Sequence, residues 1–135
     1  MFDTKFVVVL REDLAAWQKL NVTAFLTSGI VAREEGIIGE PYRDAAGNLY
    51  NALCIQPIVV LSGDQETLRK IHLRSLERDV PSSLYIEEMF STGHDAANRA
   101  VFAEFSPDDA KVVGLALRAD KKIVDKITKG ARMHG

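Results

Sequence analysis

The chain has 135 residues, of which 47% are hydrophobic and 27% charged, with a net charge of −2 at pH 7. That length suits one domain burying about two thirds of the surface its unfolded chain exposes, and the composition excludes a disordered or polybasic protein. The single cysteine, Cys54, excludes an intrachain disulfide and a thiolate metal cluster, and no run approaches the ~20 apolar residues of a membrane span, so a reducing, cytoplasmic setting is expected.

Phe6 to Leu10 is an unbroken apolar run, as in a strand buried on both faces. Asp13 then stands where a helix cap belongs, and the helix it opens is expected to reach about Val31. That helix carries two apolar faces, one with Leu14, Trp17, Ala24 and Phe25, the other with Ala15, Ala16, Val22 and Leu26. A helix apolar nearly all round is expected to lie buried between other elements. Residues 36–48 read as an irregular excursion, with Asp44-Ala45-Ala46-Gly47-Asn48 as the loop of a hairpin.

Leu49–Leu53 and Ile55–Leu61 are strand material, and Pro57 marks an edge, a bulge or a strand start because it cannot donate to a ladder. Ser62 and Gln65 have capping-box spacing before a helix bearing Leu68, Ile71, Ser75 and Leu76, which ends near Pro81. Ser83–Ile86 is a short strand, residues 95–103 a short helix, and Pro107 starts a helical turn. A last strand, Val112 to Leu117, passes through Arg118-Ala119-Asp120 into a closing basic helix at 121–132. This alternation predicts one domain over residues 1–135, a three-layer α/β sandwich with a mixed, mainly parallel sheet.

Ligands of such sheets gather where strands end and helices begin. Three junctions are polar: Arg11-Glu12-Asp13, Glu87-Glu88 and Arg118-Asp120, and parallel strands would open all three on one rim. On the first helix Lys19 and Asn21 interrupt an apolar surface; Lys19 either snorkels to solvent or faces a polar cleft, and Asn21 either lines that cleft or satisfies a backbone group. Residues 87–99 hold the densest set of reactive side chains. Glu88 can orient or deprotonate a water, and His94 titrates near neutrality. Thr92 reads equally well as a helix cap with Asp95 in the first turn, which leaves Glu88, His94, Asn98 and Arg99 without a structural duty. The three histidines are scattered, so no metal site is expected. No phosphate loop and no G-x-G-x-x-G is present, so no cofactor is expected. From Arg118 to Gly135 six Lys or Arg face two Asp, a local cationic patch beside an otherwise acidic chain.

The strand-to-helix ending with Val124-Asp125-Lys126-Ile127-Thr128 resembles the C-terminus of the archaeal and eukaryotic-type peptidyl-tRNA hydrolases. The start is similar too, with an apolar strand, Arg11-Glu12-Asp13-Leu14, and a lysine-bearing helix. The family's acid followed by Gly-Arg-Thr-Gln is replaced here by Glu88-Met89-Phe90-Ser91-Thr92-Gly93. With WQKLNVTAF, GEPYRDAAGNLY and STGHDAANRA, the chain is identified as a member of a related, functionally uncharacterised family with a peptidyl-tRNA hydrolase II-like fold. The resemblance carries over Lys19, Glu88 and Thr92, and with the polar residues singled out above the expectation is one cleft in which Lys19, Glu88 and His94 would be catalytic and Asn21, Thr92, Asn98 and Arg99 would bind ligand. It implies a hydrolase of an ester or related small substrate, with a non-catalytic binding module for a small ligand or protein, or peptidyl-tRNA cleavage, as alternatives. A homodimer is expected, both from the family and from the apolar edge at Ile58–Leu61. A small molecule is the favoured partner, RNA a less favoured one, and a membrane none.

Overall fold

The computed structural model describes residues 2–135. Its elements run β1 (Thr4–Arg11), α1 (Ala16–Arg33), β2 (Tyr42–Arg43), β3 (Leu49–Tyr50), β4 (Ile58–Gly63), α2 (Gln65–Glu77), β5 (Ser83–Ile86), a 3-10 turn at Glu87–Ser91, α3 (Asp95–Phe102), β6 (Val112–Asp120), α4 (Lys121–Ile127) and β7 (Arg132–Met133). No helix among the described residues is long and apolar enough to cross a membrane.

The main sheet has the order β5-β6-β1-β4-β7, and β2 and β3 form a separate two-stranded ribbon. The apolar run Phe6 to Leu10 becomes the central strand, with every one of its side chains at most 2% exposed. Side chains of a strand alternate between faces. Phe6, Val8 and Leu10 therefore meet Val22, Leu26 and Ile30 of α1, while Val7 and Val9 meet Leu68 and Ile71 of α2 and Val124 and Ile127 of α4. These are the three expected layers. Burying each such aliphatic side chain contributes about 1.5–3 kcal/mol before chain entropy is charged against it.

The sheet is mixed, but its parallel majority is not found. Only β1 and β4 pair in parallel, whereas β1–β6, β5–β6 and β4–β7 are antiparallel. The reason lies between β5 and β6. A parallel connection needs a crossover to the opposite end of the sheet, yet residues 87–111 stay at one end, where Glu87 N donates to Lys111 O at 3.0 Å. Strand β6 must then run back. Its C-terminal residues Arg118 to Asp120 consequently lie on the rim opposite Arg11 and Glu87, so two of the three polar junctions share a rim and the third does not.

Several local expectations shift by a few residues. Asp13 accepts from Arg11 Nε at 2.6 Å instead of capping α1, and Ala15 N donates to Gln18 Oε1 at 2.9 Å at that helix start. Ser62 belongs to the β4 ladder opposite Leu10, so Asp64 caps α2 by accepting from Thr67 N at 2.8 Å. Pro57 immediately precedes β4, the strand-start placement open to it. Strand β3 is confined to two residues, and the closing helix stops at Ile127. The chain beyond it returns as β7 along the outer edge of β4. That edge, where an uncovered apolar strand was expected, is thus partly covered.

Gly114 lets α1 approach the sheet. A Cβ on it would lie 2.5 Å from Val22 Cγ1 and 3.0 Å from Leu26 Cδ1. The register slips beside it, where Tyr85 opposes Gly114 and Ile86 opposes Val112. This bulge puts Val113 and Gly114 both on the α1 side. Gly114→Ala is expected to destabilise the fold by about 1–3 kcal/mol through overpacking, measured as a lower urea midpoint. On the other face His72 is 7% exposed, and burial lowers its pKa below the ordinary 6.5. Between the folded and unfolded values only the unfolded chain binds the proton, so stability rises with pH there and is lost as pH falls below about 6.5. The thermal midpoint should fall between pH 7.5 and 5, and His72→Leu should flatten that fall.

Candidate functional site

A groove of about 800 Å³ opens beside β5, between α1 and α3. Sheet topology puts it there. Strand β5 is an edge strand, and α1 lies over β6 and β5 with one flank facing outward.

One wall is aromatic. Trp17 and Phe25 of α1, Tyr85 of β5 and Phe90 of the 3-10 turn all line it. Trp17 meets Phe90 edge-on with centroids 5.9 Å apart, Phe25 lies 6.0 Å from Tyr85, and Tyr85 lies 5.2 Å from Phe90. These are ordinary aromatic contact distances. Burial pushes the Tyr85 phenol above its ordinary 10.0, so it stays neutral at working pH. Trp17 is 62% and Phe25 54% exposed. The expectation that α1 is buried all round therefore fails: only its Val22, Leu26 and Ile30 stripe is covered, because α3 is short and stands off from that flank.

The other wall is polar and belongs to the start of α3. His94 caps that helix, with Nδ1 accepting from Ala97 N at 3.2 Å. The capping role expected of Thr92 thus falls to His94. With Nδ1 used as acceptor, the proton of the neutral ring sits on Nε2 and is free to donate. Thr92 Oγ1 donates to the Met89 carbonyl at 2.9 Å and is also in hydrogen-bond contact with the Asn98 side chain, tying the 3-10 turn to α3. Arg99 pairs with Asp95 one helical turn back at 2.5 Å, both largely exposed. Such a surface pair contributes at most about 1 kcal/mol, so the guanidinium remains available to an anion.

Of the residues singled out from sequence, Asn21, Thr92, His94, Asn98 and Arg99 all line this groove. Lys19 and Glu88 are not among its lining residues. Lys19 is two positions from Asn21, about 200° around the helix, and sits half-buried on the other flank. Glu88 is half-buried on the 3-10 turn, with Oε1 enclosed and without a hydrogen-bond partner. The shared rim is closed by structure instead. Arg11 Nη1 donates to Glu87 Oε2 at 2.9 Å and to Gln65 Oε1 at 2.8 Å, joining the ends of β1 and β5 to the start of α2. On the far rim Arg118 Nε donates to Gln56 Oε1 at 2.6 Å and its Nη1 lies 3.5 Å from Glu34.

Sequence reasoning missed the aromatic wall. The signal was present in the surplus of large apolar residues on α1, more than one core-facing stripe needs. No group of three or more His, Cys, Asp or Glu able to hold a metal occurs among the described residues.

Comparison with known proteins adds a family and a near neighbour. The family model described as "Protein of unknown function (DUF2000)" matches residues 4–135. A solved structure of a protein of unknown function from Agrobacterium tumefaciens strain C58 is similar at 76% identity over 100% of both chains, with a TM-score of 0.99. No curated protein matches.

The cap at His94 makes a direct prediction. His94→Ala should lower stability by about 1 kcal/mol in urea unfolding, and His94→Asn, which keeps an acceptor at the cap, should recover most of it.

Proposed function

The chain belongs to the DUF2000 family, and we propose that it is a binding protein for a small amphiphilic molecule with a flat apolar body and an anionic or hydrogen-bonding head. The observation that carries this reading is the pairing of walls in one groove. An aromatic surface of Trp17, Phe25, Tyr85 and Phe90 faces a polar set of Thr92, His94, Asn98 and Arg99. The volume, about 800 Å³, lies in the range of pockets that hold drug-sized ligands, which are lined mainly by apolar groups with a few placed polar ones. The body stacks on the aromatic wall. The head takes a hydrogen bond from His94 Nε2–H and from the Asn21 and Asn98 amides, and charge from Arg99.

Binding without turnover is the better-supported member of the readings that the sequence left open. Hydrolysis of an ester needs an activated nucleophile and a stabiliser of the developing oxyanion within reach of one another. The groove lining offers His94, but neither Lys19 nor Glu88 lines the groove with it. Cleavage of peptidyl-tRNA would also ask for a free cationic surface. Arg118, the partly enclosed cation of the C-terminal patch, is held by Gln56 and Glu34, which takes one cation out of that patch. The apolar first strand, the following Arg11-Glu12-Asp13 and the terminal β6–α4 unit support descent from a peptidyl-tRNA hydrolase II-like fold whose site now serves another ligand.

The test uses 8-anilinonaphthalene-1-sulfonate, an aromatic body with an anionic head. The protein should bind it with saturable energy transfer from Trp17, the sole tryptophan. Phe25→Ala and Arg99→Ala should each weaken binding about tenfold, the scale of one lost aromatic or charged contact. Binding unchanged in both variants would sink the assignment, as would turnover of peptidyl-tRNA or p-nitrophenyl acetate that depends on Lys19 and Glu88.

A further inference from the structure

A second cavity lies on the other side of β5. It has a volume of about 360 Å³ and is lined by α2, β5 and the segment between α3 and β6, through Leu76, Val80, Ile86, Phe105 and Pro107 among others. Only Ser82 and His72 in its lining are polar. His72 is the one titratable group there, and burial lowers its pKa. It is therefore neutral at pH 7, and the lining of the cavity carries no charge.

This cavity and the groove adjoin at the edge of the sheet. Successive side chains of a strand point to opposite faces, so Ser83 and Tyr85 line the groove while Leu84 and Ile86 line the second cavity. Two residues line both spaces, Leu84 and Phe102. Strand β5 is the last strand on its side of the sheet, so no further strand separates the two spaces there. Phe102, at the end of α3, is 39% exposed. A side chain that open changes rotamer within picoseconds to nanoseconds, so it can yield to a ligand.

The groove also has a direction. His94 caps α3, and Asn98 and Phe102 follow one and two turns along that helix, all three lining the groove. Roughly 12 Å of helix separates the polar end at His94 from Phe102. A ligand whose head is held at His94 and Asn98, and whose body lies along α3, brings its far end to the β5 edge.

We propose that the ligand of the groove carries an aliphatic tail, which passes Phe102 at the β5 edge and lodges in the second cavity. The inference rests on the binding reading above and adds a chemical class to it: an anionic aromatic amphiphile bearing an alkyl chain. The second cavity suits a chain better than a second flat body. It has less than half the volume of the groove, lacks charge and is walled mainly by apolar side chains. Each methylene fully buried there strengthens binding roughly fourfold.

Displacement of 8-anilinonaphthalene-1-sulfonate by 4-methylbenzoate and 4-octylbenzoate tests it. The wild type should bind the octyl compound at least about tenfold more tightly, a small part of what full burial of the chain would give. Leu76→Glu puts a charge at a half-exposed position of the second cavity, and Ser82→Trp fills part of it. Both should cut the gain from the longer chain to about threefold or less while leaving the affinities for 8-anilinonaphthalene-1-sulfonate and 4-methylbenzoate unchanged, which also shows that the variants fold. Absence of the chain-length gain in the wild type, or a gain that survives both variants, would overturn the tail site alone. Failure of 8-anilinonaphthalene-1-sulfonate and both benzoates to bind would overturn the groove reading and the tail site with it.

Discussion

Everything else in this fold is arranged around β1, a strand buried on both faces and paired along both edges. Its five apolar residues from Phe6 to Leu10 are inaccessible to water, so each backbone amide and carbonyl there needs a partner within the protein. Strand β4 supplies those partners on one side and β6 on the other. Once β1 is central, both of its faces must be roofed. Helix α1 covers one face, and α2 with α4 covers the other. The β1 side chains are Val, Leu and Phe, whose branched or aromatic shapes suit a strand better than a helix.

The position of the groove follows from how the remaining strands are laid beside that centre. The segment from Glu87 to Lys111 returns to the end of the sheet it left, so it builds no helix over the sheet face next to β5. Space that a crossover helix would fill in a parallel fold is left open, and the outer flank of α1 lines it. The same return carries Thr92, His94 and Asn98 around to face that flank. One topological choice thus creates the cavity and delivers its polar wall. The Arg11 guanidinium, bonded to Asp13, Gln65 and Glu87, holds the rim from which this segment departs. Its pKa is raised; burial opposes the charge, but hydrogen bonds to Glu87 and Asp13 and their charges favour it.

Exposed apolar surface is concentrated in two places, the α1 flank and the arm formed by β2 and β3. Soluble proteins expose scattered apolar side chains without consequence, but two organised patches are different. On α1 the patch is concave and accompanied by hydrogen-bonding groups, which suits a small molecule. On the arm the patch surrounds a turn stiffened by the Asp44 hydrogen bonds. In both cases the backbone is already held in place, so little further ordering entropy opposes association.

Residue patterning alone was enough to mark β1, α2, β5, α3 and β6, because their periodicity and flanking breakers are local properties. It also selected five residues that do line one groove: Asn21, Thr92, His94, Asn98 and Arg99. Polar side chains clustered in a short segment stay neighbours whatever the sheet topology, so that part of the site was legible. Strand direction was not, since whether a connection crosses the sheet or returns on the same end depends on long-range pairing. The exposure of Trp17 and Phe25 was hidden for the same reason: an apolar helix face reads as core until its neighbours are known. Lys19 and Asn21, two positions apart on one helix, lie about 200° apart whatever packs against it, and only the packing of α1 decides which of those sides borders the groove. The residue types and local elements were therefore written in the chain, while tertiary packing decided which apolar surfaces stayed open, because burial belongs to the pair of surfaces that meet and not to either one.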